Sequence, residues 1–214
     1  MTKGGQTNTT STRHTDAYRF RPQPYTYLPN TAQHIQMSTT SSKHSQPGGG
    51  PSSRNATRRL IKELETWHNV ESKEEKGIER LGPVNEGELL SWEAVINGRG
   101  VGAGYDEGRF LLHITIPPTY PLSPPNIKFL TPIIHANVSL ETGEICLDLL
   151  KDAWTPAYSV LECVRAVRML LSCPGVDSPL NVDVAALLRG GDLLGARRLV
   201  EYWIGGEGGR YEGP

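Results

Sequence analysis

Apolar residues first recur at helical spacing between residues 54 and 68, where Leu60, Ile61, Leu64, Trp67 and His68 fall on one stripe. Arg58, Arg59 and Lys62 lie away from that stripe, so the segment reads as an amphipathic helix with a basic solvent face. The period then shortens to two. In residues 88–96, Leu90, Trp92, Ala94 and Ile96 alternate with Ser91, Glu93 and Val95. In residues 110–116, Phe110, Leu112, Ile114 and Ile116 alternate with Leu111, His113 and Thr115. Such alternation predicts antiparallel strands covered on one face. Asn97-Gly98 and the Gly-rich stretch that follows supply the turn between them. Pro117-Pro118 stops the second strand, because proline cannot donate to a ladder. A short strand is expected at 127–130, after the proline-rich Tyr120–Pro125.

Residues 131–155 follow neither period. A loop of that length in a compact domain generally exists for function. Helical spacing returns at 157–171, with Val160, Leu161, Val164, Val167, Leu170 and Leu171 on one stripe. Shorter helices are expected at 182–189 and 193–204, the second capped by Asp192. Strands grouped ahead of helices imply an α+β domain with an antiparallel sheet covered on one face.

Residues 1–53 carry no such pattern. Of these, 17 are Ser or Thr, and the stretch ends in a Gly/Pro/Ser run, so it reads as a disordered tail unable to bury enough surface to offset its ordering entropy. Within it, Tyr18–Tyr25 is a candidate docking motif set against a plain linker. The tail holds five basic residues and only Asp16 as an acid, against a chain total of -1 over 214 residues. These charges are dispersed, which gives no ground for a nucleic-acid partner. No apolar run is long enough to span a membrane, and no signal-peptide core is evident, so secretion is not expected.

Three cysteines, Cys146, Cys163 and Cys173, show no Cys-x-x-Cys spacing. Neither a disulfide framework nor a metal site is indicated, and a reducing compartment fits. Cys163 and Cys173 fall in or at the end of the apolar helix and read as core or edge residues. Cys146 differs. It lies in the aperiodic loop, in Gly143-Glu-Ile-Cys-Leu-Asp148, flanked by glycine and acids, which argues for exposure and leaves a reactive thiolate open as a role.

Five motifs run through this region: Tyr120-Pro-Leu-Ser-Pro-Pro125, His135-Ala-Asn137, Gly143-Glu-Ile-Cys146-Leu, Trp154-Thr-Pro-Ala157 and Asp177-Ser-Pro-Leu180. In order and near-spacing they resemble the ubiquitin-conjugating enzyme family across about residues 54–205. The resemblance implies the UBC fold: an N-terminal helix, a four-stranded antiparallel meander, a long active-site loop and C-terminal helices. It makes 54–205 the catalytic domain and 206–214 a flexible Gly-rich end. Two departures stand out: Ala136 occupies the middle of the family's His-Pro-Asn motif, and the gap from Asn137 to Cys146 is one residue longer than in common members.

By that resemblance, Cys146 is the nucleophile that accepts ubiquitin as a thioester from an activating enzyme. Asn137 is the amide that steadies the oxyanion, with loop organisation as its other reading. His135 hydrogen-bonds the loop rather than acting as a base. Asp177 and Ser178 match a gate for the incoming nucleophile, with a capped turn as the alternative, and Asp148 is a second nearby carboxylate. Pro121, Leu122, Trp154, Pro156 and Ala157 match the loops that contact a RING-type ubiquitin ligase. Arg58 and Arg59 match the basic first helix used by activating enzyme and ligase, or else form a solvated face. No bound cofactor and no metal are implied, since ATP is used by the upstream activating enzyme.

Within the family, His135–Val138, Ile145–Lys151, Ala153–Pro156, Asp177–Val184 and Arg189–Asp192 are most like the peroxisomal branch. That likeness implies a peripheral place on the cytosolic face of the peroxisome, a membrane-anchoring peroxin as partner, and the import receptor as substrate. The competing readings are a cytosolic conjugating enzyme acting on lysines, an inactive binding module, and a cysteine hydrolase. The presence of Cys146 counts against the module. The lack of a histidine partner counts against the hydrolase.

Overall fold

The computed structural model describes residues 51–214, apart from Glu86 and Glu207. The 1–50 tail, with its Tyr18–Tyr25 patch, lies outside the described residues. Helix α1 (Pro51–Thr66) passes through a π-helical turn, Trp67–Glu71, into the one-turn α2 (Ser72–Glu74). Its start lies three residues ahead of the expected boundary at 54. Ala56, Leu60 and Trp67 form the buried stripe, while Ile61 and His68, expected on it, face outward.

Four strands follow in the order β1 (Ile78–Pro83), β2 (Ser91–Asn97), β3 (Arg109–Thr115) and β4 (Asn126–Phe129), all antiparallel neighbours. The expected meander is therefore present, with its ends shifted by a few residues. The register assembles one apolar face: Leu81, Ala94, Leu112 and Phe129 are successive cross-strand partners, as are Trp92, Ile114 and Ile127. Directly opposed apolar side chains of this kind stabilise a sheet by roughly 0.2–1 kcal/mol per pair. β1 escaped the sequence reading because a bulge between Ile78 and Arg80 breaks its alternation. Gly82 and Pro83 further disguise it.

Helix α3 (Val160–Leu170) supplies Val160, Leu161, Cys163, Val164 and Val167 to the same core as the sheet. It begins three residues later than its periodicity suggested, because Ser159 caps it. The Ser159 hydroxyl accepts from the Glu162 N–H, and the Glu162 carboxylate accepts from the Ser159 N–H at 2.8 Å. α4 (Val182–Arg189) and α5 (Leu193–Ile204) complete the domain at their expected bounds, with Asn181 and Asp192 as caps.

The Gly-rich end, expected to be flexible, instead docks on β3. The Tyr211 N–H donates to the Arg109 carbonyl at 2.7 Å, and the Arg109 guanidinium lies over the Tyr211 ring and donates to the carbonyls of Tyr211 and Gly213. One cation–π contact and three hydrogen bonds order a segment whose composition alone favours mobility.

Ser159→Ala removes half of the α3 capping box and is expected to cost about 1 kcal/mol. Urea unfolding should show a lower midpoint with an unchanged slope.

Candidate active site

The long loop is irregular but not loose. Residues on either side of its tip pair with one another: Val138 bridges Ile145, the Cys146 N–H donates to the Asn137 carbonyl at 2.8 Å, and Ser139 N–H donates to the Glu144 carbonyl at 2.9 Å. The turn closes at Gly143, whose φ of +69° suits glycine, and where an added Cβ would meet the Phe129 carbonyl oxygen at 1.9 Å. In return Phe129 N–H donates to the Gly143 carbonyl, so the loop is laced to β4. Lys128 and Glu144 add an exposed ion pair at 3.1 Å, worth little by itself.

His135 and Asn137 are both buried. The His135 Nε2–H donates to the Leu170 carbonyl at 3.0 Å, and its Nδ1 accepts from the Asn137 N–H at 3.0 Å. That pairing fixes a neutral tautomer, because a carbonyl can only accept. Burial pushes the imidazole down to about 4. The Asn137 carboxamide is clamped on one residue: Nδ2 donates to the Gly175 carbonyl and Oδ1 accepts from the Gly175 N–H, each at 2.7 Å. One of its two N–H groups is thereby spent on the loop.

The same edge holds the segment after α3. Leu180 N–H and Asn181 N–H both donate to the Ala136 carbonyl. Asp177 and Ser178 are exposed between those two anchor points, at 175 and 180–181, with Val176 further held by Arg189. The structure thus brings the carboxylate and hydroxyl of this segment onto the ledge that carries Asn137. Ala136 is fully buried and uses only backbone here, so the exchange of proline for alanine removes no polar group from the site.

Cys146 is half-buried; Cys163 is buried and its thiol is pushed up to about 12 by desolvation; Cys173 is exposed past the end of α3. A thiol held that far above neutrality is inert. Beyond Cys146 a single 3₁₀ turn, Asp148–Leu150, reverses the chain. It leaves Asp148 exposed and returns the Lys151 ammonium to 3.9 Å from the Cys146 sulfur.

The partner-binding candidates divide into two groups. Leu122, Pro156, Ala157 and Arg58 are exposed. Trp154 and Pro121 are half-buried and joined, the indole N–H donating to the Pro121 carbonyl at 2.9 Å, with Tyr120 and Tyr158 packed at 6.0 and 6.1 Å from the indole. Arg59, expected on a solvent face, is committed inside the domain. It pairs with Glu63 and donates to the Pro156 and Tyr158 carbonyls. Glu63 also accepts from the Tyr120 hydroxyl at 2.7 Å and the Val160 N–H at 2.9 Å. Glu63, Gly175 and Lys151 were missed as site residues. The spacing of four between Arg59 and Glu63 was a readable signal; the Gly175 clamp, 38 residues from Asn137, had none.

No cluster of three or more potential metal ligands occurs among the described residues. With this geometry in hand, the comparisons with known proteins decide the family. The ubiquitin-conjugating enzyme profile matches residues 59–193. The chain belongs to the ubiquitin-conjugating enzyme family. It is 74% identical over 162 residues to the ubiquitin-conjugating enzyme E2 PEX4 of Gibberella zeae, a span of 76% of this chain and 94% of that protein. It is 44% identical over 115 residues to the Arabidopsis thaliana protein PEROXIN-4, covering 54% and 73%. Among solved structures, H. polymorpha Pex4p, crystallised in complex with the soluble domain of Pex22p, matches with a TM-score of 0.63 and 29% identity over 72% of this chain and 97% of that one. ATP or nucleotide binding is no property of conjugating enzymes; that step belongs upstream. Among the described residues, no helix is long and apolar enough to cross a membrane.

The His135 imidazole sets a pH dependence of stability. The unfolded chain takes up a proton near pH 6.5, while the folded one resists until about pH 4. The unfolded state therefore binds more protons in that window, and stability falls as pH drops from about 6.5 towards 4, by at most about 3 kcal/mol. Urea melts should lose less stability between pH 7.5 and 5 in His135→Gln than in the parent. Equal losses would assign the effect to another group.

Proposed function

We propose that Cys146 is the sulfur that carries ubiquitin in this conjugating enzyme, and that the acceptor is a cysteine of the peroxisomal import receptor. The observation that carries the first part is local: of three cysteines, Cys146 alone is partly exposed within a loop whose backbone ties it to the Asn137 ledge. Thioester exchange with the activating enzyme loads the sulfur and keeps the ubiquitin carbonyl reactive. When an acceptor attacks, negative charge develops on the carbonyl oxygen. The second Asn137 N–H is the donor available to it, and loss of such a donor costs roughly 2.7–4 kcal/mol elsewhere. Asp177 or Ser178, with Asp148, would receive or orient the acceptor's proton.

A thiol acceptor is more acidic than an amine, which suits a ledge offering Ser178 beside a single carboxylate. The peroxin names of the similar proteins, and the complex of the H. polymorpha relative with the soluble domain of Pex22p, support a membrane-anchoring peroxin as partner and a peripheral place on the cytosolic face of the peroxisome. The exposed Leu122, Pro156 and Ala157, braced from below by Trp154, would meet a RING-type ligase. Arg58 would meet activating enzyme or ligase from α1.

Incubation with activating enzyme, ATP and ubiquitin should give an adduct cleaved by reductant, lost in Cys146→Ala and converted to a reductant-resistant oxyester in Cys146→Ser. Persistence of the adduct in Cys146→Ala would remove this residue from the role. With ligase and a receptor peptide bearing one cysteine, the product should again be reductant-sensitive. Transfer only to a peptide lysine would mark a lysine-directed enzyme instead.

A further inference from the structure

The 3₁₀ turn after Cys146 does more than expose the sulfur. Leu150 N–H donates to the Leu147 carbonyl, and the Lys151 and Ala153 N–H groups both donate to the Asp148 carbonyl, at 2.9 and 3.0 Å. These backbone bonds turn the chain back on itself, and the Lys151 ammonium donates to the Cys146 sulfur at 3.9 Å. Among the described residues no ion pair engages that ammonium, and Lys151 is exposed. Its charge is therefore not neutralised by a carboxylate partner, and it acts on whatever charge arrives or develops at the sulfur. The separation is well inside the screening length of physiological salt, about 8 Å.

From this juxtaposition we infer that Lys151 is a specificity-determining residue, whose ammonium favours a thiol acceptor over an amine. The inference rests on the proposed carrier role of Cys146 and deepens the reading of a cysteine as acceptor. The two acceptors bring opposite charge. A thiol attacks as its thiolate, once its proton has passed to solvent by way of Asp177 or Ser178. A C–S bond forms to the thioester carbonyl, the bond to Cys146 breaks, and the Cys146 thiolate leaves. One negative charge is shared by the entering sulfur, the carbonyl oxygen and the leaving sulfur throughout, and a fixed cation stabilises all three. A lysine arrives near neutral pH as an ammonium, which Lys151 repels. Even after that lysine sheds a proton, its nitrogen turns positive as the C–N bond forms. The same cation therefore helps the first acceptor and opposes the second, and discrimination of this kind is a difference between two transition states.

The full chain is loaded with activating enzyme, ATP and ubiquitin, the ATP is removed, and the thioester is discharged at one pH with N-acetylcysteine amide or Nα-acetyl-lysine amide. These probes differ only in the reacting side chain. Rates are taken per thioester present, so differences in loading cancel. Lys151→Gln should lower the thiol-to-amine rate ratio several-fold, Lys151→Glu by about tenfold or more, and Lys151→Arg should keep it. The spread among the variants should shrink in about 1 M salt, where the screening length falls to about 3 Å; a merely structural role for this side chain would not respond to salt in that way. An equal ratio in the parent, Lys151→Gln and Lys151→Glu, or a ratio lost equally in Lys151→Arg, would overturn the inference and leave the carrier role and the cysteine acceptor standing. A parent thioester that discharges to the lysine probe and not to the cysteine probe would overturn the cysteine acceptor and this inference with it. Failure of the parent to form thioester would overturn the carrier role as well.

Discussion

Everything at the site depends on how an irregular stretch of chain satisfies its own polar groups inside a folded domain. A buried loop has no ladder to use, and each unpaired N–H or carbonyl would cost free energy comparable to a lost hydrogen bond. His135 and Asn137 solve this by acting as side-chain substitutes for secondary structure. One imidazole joins the end of α3 to the Asn137 amide, and one carboxamide takes both backbone groups of Gly175. No buried side-chain nitrogen or oxygen among the described residues lacks a partner. The outcome is a rigid ledge. Cys146 hangs from one side through its N–H, and the segment bearing Asp177 and Ser178 hangs from the other. A carrier that must not hydrolyse its own thioester gains from this arrangement, because the one histidine on the ledge is neutral, buried and fully bonded.

The second organising point is Glu63. A single half-buried carboxylate accepts from Arg59, Tyr120 and the Val160 N–H, and so joins α1, the loop after β3 and the start of α3. Arg59 extends the web to the carbonyls of Pro156 and Tyr158, and Trp154 closes it on Pro121. Charge-assisted bonds of this kind are the stronger class. The residues left exposed around the web, Leu122, Pro156 and Ala157, stand on a stiff base, so a partner gripping them pays little ordering entropy. The first helix thus contributes to the proposed partner surface mainly as its scaffold.

Much of this was legible from residues alone. Period-two runs located β2 and β3 because each has one face in the core and one outside. The helical stripes of α3, α4 and α5 were readable for the same reason. The aperiodic loop declared itself by having neither period, and the cysteine within it was visible as the odd one among three. What failed did so for identifiable reasons. β1 carries a bulge that puts two exposed residues in a row, which erases alternation. Arg59 looked like surface charge, because nothing local reveals that carbonyls 97 and 99 residues away will claim its guanidinium. The glycines near the end suggested freedom, yet one arginine on β3 holds the tail in place.

The sequence by itself determined the periodicities, the order of elements and the motifs, because these depend on neighbours within a few residues. It therefore determined the fold class and the family, and it singled out Cys146 as the candidate nucleophile. Only the tertiary structure decided which groups meet: Asn137 with Gly175, Glu63 with Tyr120 and Val160, and Lys151 turned back upon Cys146. The first two span distances along the chain over which no local pattern acts. The third lies five residues away, but its direction comes from a turn whose dihedral angles no alternation of polar and apolar residues encodes.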